Sequence, residues 1–480
     1  MKLNNLLSTK YINTALSELD VSGLSLDSRQ IKKNNLFIAL DGHTESGIDY
    51  IRQAIDGGAN ALLLSNENIN ENIKYPIPVI GVDNIRLELS HIASRFYRNK
   101  PNTIVAVTGT NGKTSVVNFI DQIWKKFSRK SASIGTLGNS FLPGHSNLTT
   151  PDSISLNAQL NLLKNLEVDN VAIEASSHGL DQYRIDNINI SAAAFTNISR
   201  DHLDYHKTME AYFRAKARLF TEILPRDGLV ILCIDTIEKK YLKQIMNKNK
   251  HNIITIGRSE SDLQILQIDN LWRRTALRLR VNKEEIDLNI PLIGEFQIYN
   301  ALVAAATVTA DREIGIIEAL KTLETLEGVK GRLEFIGSNK YDAGIYVDYA
   351  HTPEALESVL REMRKYTIKK LYLVFGAGGN RDVGKRYAMG KVAANLSDVT
   401  IVTDDNPRNE DPLKIRLDIL MGAKNAIEIG SRYEAIKTAI EQLEDGDNLL
   451  VCGKGHEETM IVNNKVYPFS DHSTILSILS

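Results

Sequence analysis

The run Ile104-Val105-Ala106-Val107, followed at once by Thr108-Gly109-Thr110-Asn111-Gly112-Lys113-Thr114-Ser115, constrains this chain more than any other feature. An unbroken apolar run of this length reads as a strand buried on both faces. Val116, Phe119, Ile120 and Ile123 then recur at helical spacing. A strand, a glycine-rich turn and a helix in that order predict an α/β unit built on a mostly parallel sheet. The turn suits a polyphosphate: glycines let backbone N–H groups approach it, and the helix N-terminus adds a favourable dipole. Lys113 would reach the terminal phosphates, and the Thr114 hydroxyl suits Mg2+. The usual Walker spacing fails, because it needs glycine at Val107 and the first glycine here is Gly109. A turn that merely contains a lysine is the competing reading, and the flanking strand and helix weigh against it.

At 480 residues the chain exceeds what one core supports. Short apolar runs (Leu36-Phe37-Ile38-Ala39 and Ala61-Leu62-Leu63-Leu64) alternate with helical patterns up to about residue 98, and Asn99-Lys100-Pro101-Asn102 reads as a linker. After the phosphate loop, strands are expected at Val171-Ala172-Ile173, Ala193-Ala194-Phe195 and Leu229-Val230-Ile231-Leu232. Between 263 and 293 the period changes to two: Leu277, Leu279 and Val281 alternate with Arg278 and Arg280, and Ile286, Leu288 and Ile290 with Asp287 and Asn289. That pattern indicates antiparallel strands with one wet face. Beyond Gly328–Gly331, Tyr346-Val347, Leu371–Phe375, Val399–Val402 and Leu449-Leu450-Val451 begin a further α/β series. We therefore expect three domains, at 1–98, 99–329 and 330–480.

The net charge of −2 argues against a general nucleic-acid binder. The cysteines, Cys233 and Cys452, form neither a metal-ligand spacing nor a disulfide framework, which fits a reducing compartment. The N-terminus lacks a signal-peptide pattern, and no stretch approaches the ~18 apolar residues of a membrane span. A cytoplasmic monomer with no membrane insertion is expected.

Glu174 closes one apolar strand and His202 lies just beyond another, where open α/β sheets place ligands. Alone, Glu174 also suits a capping carboxylate and His202 a structural histidine. Together with Lys113 and Thr114 they read as a magnesium shell.

These segments resemble the Mur ligase family nearly end to end. Thr108–Thr114 resembles its ATP loop, and Glu174-Ala175-Ser176-Ser177-His178-Gly179-Leu180 and Asn197–Asp204 its next two signatures. Tyr212-Phe213-Arg214-Ala215-Lys216 is similar to the segment whose lysine reacts with CO2. The resemblance implies that Lys216, as a carbamate, joins Thr114, Glu174 and His202 as metal ligands; read without it, Lys216 is a solvated helix lysine. Gly294-Glu295-Phe296-Gln297-Ile298-Tyr299-Asn300 resembles the adenine-contacting segment, with Gln297 where the family usually has asparagine, so Asn300 is the expected contact. Gly331-Arg332-Leu333-Glu334 and Asp348-Tyr349-Ala350-His351-Thr352-Pro353 resemble an interdomain arginine motif and a nucleotide-closing segment. The ATP site implied is Gly109, Thr110, Asn111, Gly112, Lys113, Thr114, Ser115, Asn300, Arg332 and Asp348, with Lys113, Lys216 and Arg332 catalytic.

The same resemblance implies an α/β fold of three domains: a uridine-nucleotide-binding domain, a central P-loop-type ATPase domain with a mostly parallel sheet plus a small antiparallel sheet, and a Rossmann-like C-terminal domain. Leu26, Ser28, His43, Thr44 and Glu45 match the UDP pocket, and Thr149, Thr150, Ser176, Gln182 and Arg184 a muramoyl-dipeptide site. Arg381, Asp405, Asn406, Pro407, Arg408, Gly453 and Glu457 match an amino-acid site of the kind that takes meso-diaminopimelate. Diaminopimelate carries a distal carboxylate that lysine lacks, and the Arg408 guanidinium can hold it by paired charge-assisted hydrogen bonds. The activity implied is ATP- and Mg2+-dependent joining of meso-diaminopimelate to UDP-N-acetylmuramoyl-L-alanyl-D-glutamate through an acyl phosphate, in peptidoglycan precursor synthesis. The same ligase using lysine, a folylpolyglutamate-type ligase, and a nucleotide-binding regulator without turnover are the alternatives.

Overall fold

Every second side chain of a strand points to the same face, so an uninterrupted apolar run needs cover on both sides. That cover is what a computed structural model of the chain shows, and it describes all residues except 13–15, 17, 43–44, 70–73, 143–147 and 249–251. The chain divides into two compact units, Met1–Gln264 with Leu302–Leu320, and Ile265–Ala301 with Lys321–Ser480.

The first unit carries two sheets. Strands β1 (Gly23–Ser25), β2 (Asn35–Ile38), β3 (Ala59–Ser65) and β4 (Val79–Val82) form a parallel four-stranded sheet in that order. Leu36, Ile38 and Leu63 pack with Leu89 and Ile92 of the helix Ile85–Phe96. Phe37, Leu62 and Leu64 face the other way, onto Ile51 and Ala54 of the helix Ile51–Asp56. The second sheet contains β5 (Thr103–Thr108), β6 (Ser131–Gly135), β7 (Gly138–Asn139), β8 (Asn170–Glu174), β9 (Ala192–Phe195), β10 (Leu229–Cys233) and β11 (Asn252–Gly257). Its order is β11-β10-β9-β5-β8-β6-β7, parallel except at β7. Because β5 lies between β8 and β9, the segments leaving these three strands gather at one sheet edge, the usual ligand crevice of open α/β sheets. The helix Lys113–Lys126 follows β5 and buries Val116, Phe119, Ile120 and Ile123, the residues whose spacing announced it.

Through β12 (Leu263–Leu271) the chain enters the second unit. There β13 (Arg274–Val281) and β14 (Glu284–Ile290) pair antiparallel. Leu277 stands opposite Leu288 and Leu279 opposite Ile286, whereas Arg278 and Arg280 pair with Asp287 and Glu285 at 2.8 Å each on the wet face. A six-stranded sheet follows, of β15 (Glu334–Ser338), β16 (Gly344–Asp348), β17 (Leu371–Phe375), β18 (Val399–Val402), β19 (Ile427–Glu428) and β20 (Asn448–Cys452). Its order is β15-β16-β20-β17-β18-β19, with only β15 antiparallel. Helices Pro353–Arg364, Gly384–Leu396 and Pro412–Leu420 cover one face, and Arg432–Gln442 and Asp471–Leu479 the other. This is the doubly wound arrangement expected of the C-terminal series. Among the described residues no helix is long and apolar enough to cross a membrane.

Candidate active site

The phosphate loop is held open by its neighbours rather than by its own side chains. Gly109 has φ +149°, and a Cβ there would lie 1.9 Å from Thr196 Oγ1; Gly112, at φ +86°, precedes the helix. Asn197 accepts from Thr110 N and Asn111 N at 2.9 Å each, through its carbonyl and its Oδ1, and Thr196 Oγ1 donates to Asn111 O at 2.6 Å. The segment leaving β9 thus braces the loop leaving β5. Lys113 and Lys216 both donate to the Gly109 carbonyl, at 2.9 and 2.7 Å.

Lys216 is no solvated helix lysine: it is 1% exposed, and its Nζ lies 4.6 Å from the Tyr212 ring centre. Burial, and next the Lys113 charge, push its pKa well down and favour the neutral amine. Glu174 is the register partner of Val107 and is fully buried. Its carboxylate accepts from Thr136 N at 2.8 Å and Thr136 Oγ1 at 3.2 Å. A Cβ on Gly135 would lie 2.1 Å from Glu174 Oε1, so this glycine is what makes room for the carboxylate. His202, at φ +52°, packs edge-on against His178 with ring centres 4.8 Å apart. No three His, Cys, Asp or Glu side chains converge as a metal cluster among the described residues. The Thr114 hydroxyl, Glu174 carboxylate, His202 imidazole and Lys216 amine fall outside that pattern; of these, the hydroxyl and carboxylate oxygens suit a hard cation.

Thr149, Thr150, Ser176, Gln182 and Arg184 also come together. Thr150 Oγ1 donates to Glu174 O at 2.6 Å and lies 3.0 Å from Ser176 Oγ. Arg184 donates to Thr150 O and to Gln182 Oε1 at 2.7 Å each, and Thr149 Oγ1 lies 3.2 Å from Thr136 Oγ1. Leu26 packs on the first core, Ser28 Oγ donates to Gln53 Oε1 at 2.6 Å, and Glu45 accepts from Tyr50 OH at 3.0 Å. His43 and Thr44 lie outside the described residues. Arg86 joins the two groups, donating to Asp41 O at 2.9 Å and Gln182 Oε1 at 3.5 Å. Nothing in the sequence marked it, since a lone arginine on an amphipathic helix carries no pattern.

The remaining candidates belong to the second unit. Gln297 Nε2 donates to Arg332 O at 2.8 Å, and Gln297 Oε1 accepts from Asn300 Nδ2 at 3.0 Å. The longer amide thus ties the helix Glu295–Val308 to the Arg332 turn. The Arg332 guanidinium lies 4.7 Å over the Tyr349 ring. Asp348 accepts from Leu333 N and Ala350 N at 2.7 Å each, yet burial keeps its pKa raised.

The amino-acid candidates form one laced group. Asn406 Nδ2 donates to Glu457 Oε2 at 2.7 Å, and Ile461 N to Asn406 Oδ1 at 3.0 Å. Gly453, at φ +111°, would put a Cβ 2.5 Å from Asp405 Oδ2. Pro407 is buried between Asn406 and Arg408, and Arg408 Nη1 donates to Gly379 O at 2.8 Å, beside exposed Arg381. Sequence reasoning missed Lys454, which is fully buried and donates to Glu457 Oε2 at 3.2 Å and Thr459 O at 2.6 Å.

The Mur ligase family catalytic domain matches residues 20–97, the Mur ligase middle domain 107–308, and the Mur ligase glutamate ligase domain 331–455. A UDP-N-acetylmuramoyl-L-alanyl-D-glutamate–2,6-diaminopimelate ligase of Rhizobium meliloti (strain 1021) is 42% identical over 96% of this chain and 94% of its own. A solved ligase of the same description superposes with TM-score 0.71 at 31% identity, covering 98% of this chain and 96% of its own. A folylpolyglutamate synthase of Mycobacterium tuberculosis shares the fold at TM-score 0.61 and 18% identity, over 77% of this chain and 92% of its own. The phosphate loop, the braced carboxylate and the matching domains lead to one assignment: the chain belongs to the Mur ligase family, whose members are ATP-dependent ligases.

Proposed function

We propose that this enzyme joins meso-2,6-diaminopimelate to UDP-N-acetylmuramoyl-L-alanyl-D-glutamate at the expense of ATP, in peptidoglycan precursor synthesis. The observation that carries the choice of amino acid is Arg408, whose guanidinium is tethered to Gly379 O within a lacework that also holds Asn406 and Glu457. A tethered planar cation is suited to the distal carboxylate that distinguishes diaminopimelate from lysine. The domain limits 1–98, 99–329 and 330–480 and the residue roles below are part of the proposal.

In the reaction, the D-glutamyl carboxylate attacks the γ-phosphorus of ATP, and ADP leaves. Amides of the loop Gly109–Ser115 bind the phosphates, while Lys113 and Arg332 offset charge on the transferred group. Thr114, Glu174, His202 and Lys216, the last as a carbamate, are the residues to hold Mg2+, which when bound offsets phosphate charge. The diaminopimelate amine then attacks the acyl phosphate carbon; the amide bond forms and inorganic phosphate departs. Thr149, Thr150, Ser176, Gln182 and Arg184 hold the muramoyl dipeptide, and Leu26, Ser28, His43, Thr44 and Glu45 the uridine nucleotide. Asn300 and Asp348 hold the adenosine end of ATP, and Arg381, Asp405, Pro407 and Gly453 line the amino-acid pocket with Glu457 facing an ammonium. Positioning supplies most of the rate, since no enzyme nucleophile takes part.

Phosphate release tests this reading. It should require ATP, the uridine-linked dipeptide and diaminopimelate together. Release with a folate acceptor in place of the uridine compound would instead favour a folylpolyglutamate-type ligase.

A further inference from the structure

Beneath the amino-acid pocket lies a charged group that the reaction does not use. Arg386, on the helix Gly384–Leu396, is fully buried. Its Nη2 pairs with both oxygens of Glu410 at 3.0 and 2.8 Å and its Nη1 with Asp418 at 3.0 Å; its Nε is buried without a partner among the described residues. A buried ionic group of this kind is a poor source of stability, because apolar side chains of similar volume often serve as well. Its geometry suggests what it does instead. Glu410 Oε1 also accepts from Asn380 N, in the loop 378–382 that bears Arg381. That hydrogen bond, and then the Arg386 pair, hold the Glu410 carboxyl below its ordinary pKa.

The same loop is stitched to the Arg408 segment. Gly379 N donates to Asn406 O at 2.9 Å, Asn409 N to Asn380 Oδ1 at 3.1 Å, and Arg408 Nη1 to Gly379 O at 2.8 Å. A Cβ on Gly379 would lie 2.0 Å from Pro407 O, so the two segments are as close as backbone allows. Asn380 and Arg408 both sit at φ +53°, a conformation that costs a non-glycine residue energy unless its surroundings impose it.

We infer that Arg386 and Glu410 are positioning residues for amino-acid recognition, which fix the loop 378–382 and through it the direction of the Arg408 guanidinium. The inference rests on the proposed diaminopimelate reading. Neither residue need touch substrate. Glu410 transmits the fixed place of the buried guanidinium to Asn380 N, and Gly379 O passes it to Arg408. Loss of that restraint leaves the guanidinium present but misdirected, and misplacement by about 1 Å can cost a hundredfold.

The test uses the full-length enzyme, with KM for diaminopimelate, for ATP and for the uridine-linked dipeptide measured beside kcat and the thermal midpoint. Glu410→Gln keeps the shape and removes the charge. It should raise KM for diaminopimelate at least tenfold and leave the other two within about twofold. Arg386→Met, an apolar side chain of similar reach, frees Glu410 from the guanidinium that fixes it and should show the same selective rise, so folding failure of the first variant does not decide the matter. An unchanged KM for diaminopimelate in both variants overturns the inference. So does a fall in kcat or active fraction with all three KM values unchanged, the signature of a merely structural role. Wild-type enzyme inactive with diaminopimelate would show itself before any variant is made, and would overturn the functional reading and this inference together.

Discussion

Arg408 commits one edge of its guanidinium to Gly379 O and keeps a planar cation on a fixed stem, so its contribution is directional as well as electrostatic. Arg408→Ala should lower diaminopimelate turnover at least tenfold, the scale of one charged hydrogen bond at about 1.5–3 kcal/mol, read as kcat/KM. Unchanged turnover would remove Arg408 from the specificity argument. Lys216 is constrained differently: burial and the nearby Lys113 disfavour its cation. Lys216→Ala should cripple turnover, with partial recovery when a small carboxylate is added, and full activity of the alanine variant would end the carbamate proposal. Gly135 matters through what it leaves out. Glu174 Oε1 lies only 2.1 Å from where a Cβ would stand, so Gly135→Ala must displace that carboxylate. ATP turnover should fall by an order of magnitude or more while the fold, followed by circular dichroism, persists.

At the scale of elements, what was legible depended on whether the cause was local. The strand–loop–helix at 103–126 could be read because its apolar run, its glycines and its helical spacing are contiguous. The strand Ser131–Gly135 could not. Its polar residues break the apolar run, and their partners come from other elements. Ser131 Oγ donates to Asp121 at 2.6 Å, and Ser140 Oγ accepts from Ser133 N and donates to Asp121 at 2.8 Å each. The candidate site divides in the same way. Motif residues were visible as strings, whereas Arg86, Lys454 and Glu410 are single charges that no local pattern sets apart. Lys100 and the last helix allow two stability tests. Burial pushes Lys100 down to about 8, so the folded state holds that proton less tightly than the unfolded one. The cost is therefore complete below about pH 8 and fades as pH rises towards 10.5. Lys100→Met should stabilise the enzyme at pH 7 by about 1–3 kcal/mol, a gain that vanishes at high pH in denaturant titrations. The pair Arg432–Asp471 is fully buried at 2.7 Å, with Arg432 Nη2 also donating to Cys452 O at 2.9 Å. Asp471→Asn leaves the guanidinium uncompensated and should cost about 3–5 kcal/mol in urea unfolding.

At the scale of the whole molecule, the loop Gly109–Ser115 belongs to the first compact unit, and Asn300, Arg332 and Asp348 belong to the second. The uridine and dipeptide candidates belong to the first unit and the diaminopimelate candidates to the second. A folylpolyglutamate-type relative could share the phosphate loop and the fold, so the acceptor and the amino acid are where readings of this chain diverge. The most direct measurement is the mass of the product formed from the uridine-linked muramoyl dipeptide, ATP, and equal amounts of meso-diaminopimelate and L-lysine. A product heavier by diaminopimelate less water, with the lysine adduct a minor species, is the predicted result; a predominant lysine adduct, or no adduct on the dipeptide, would contradict the account.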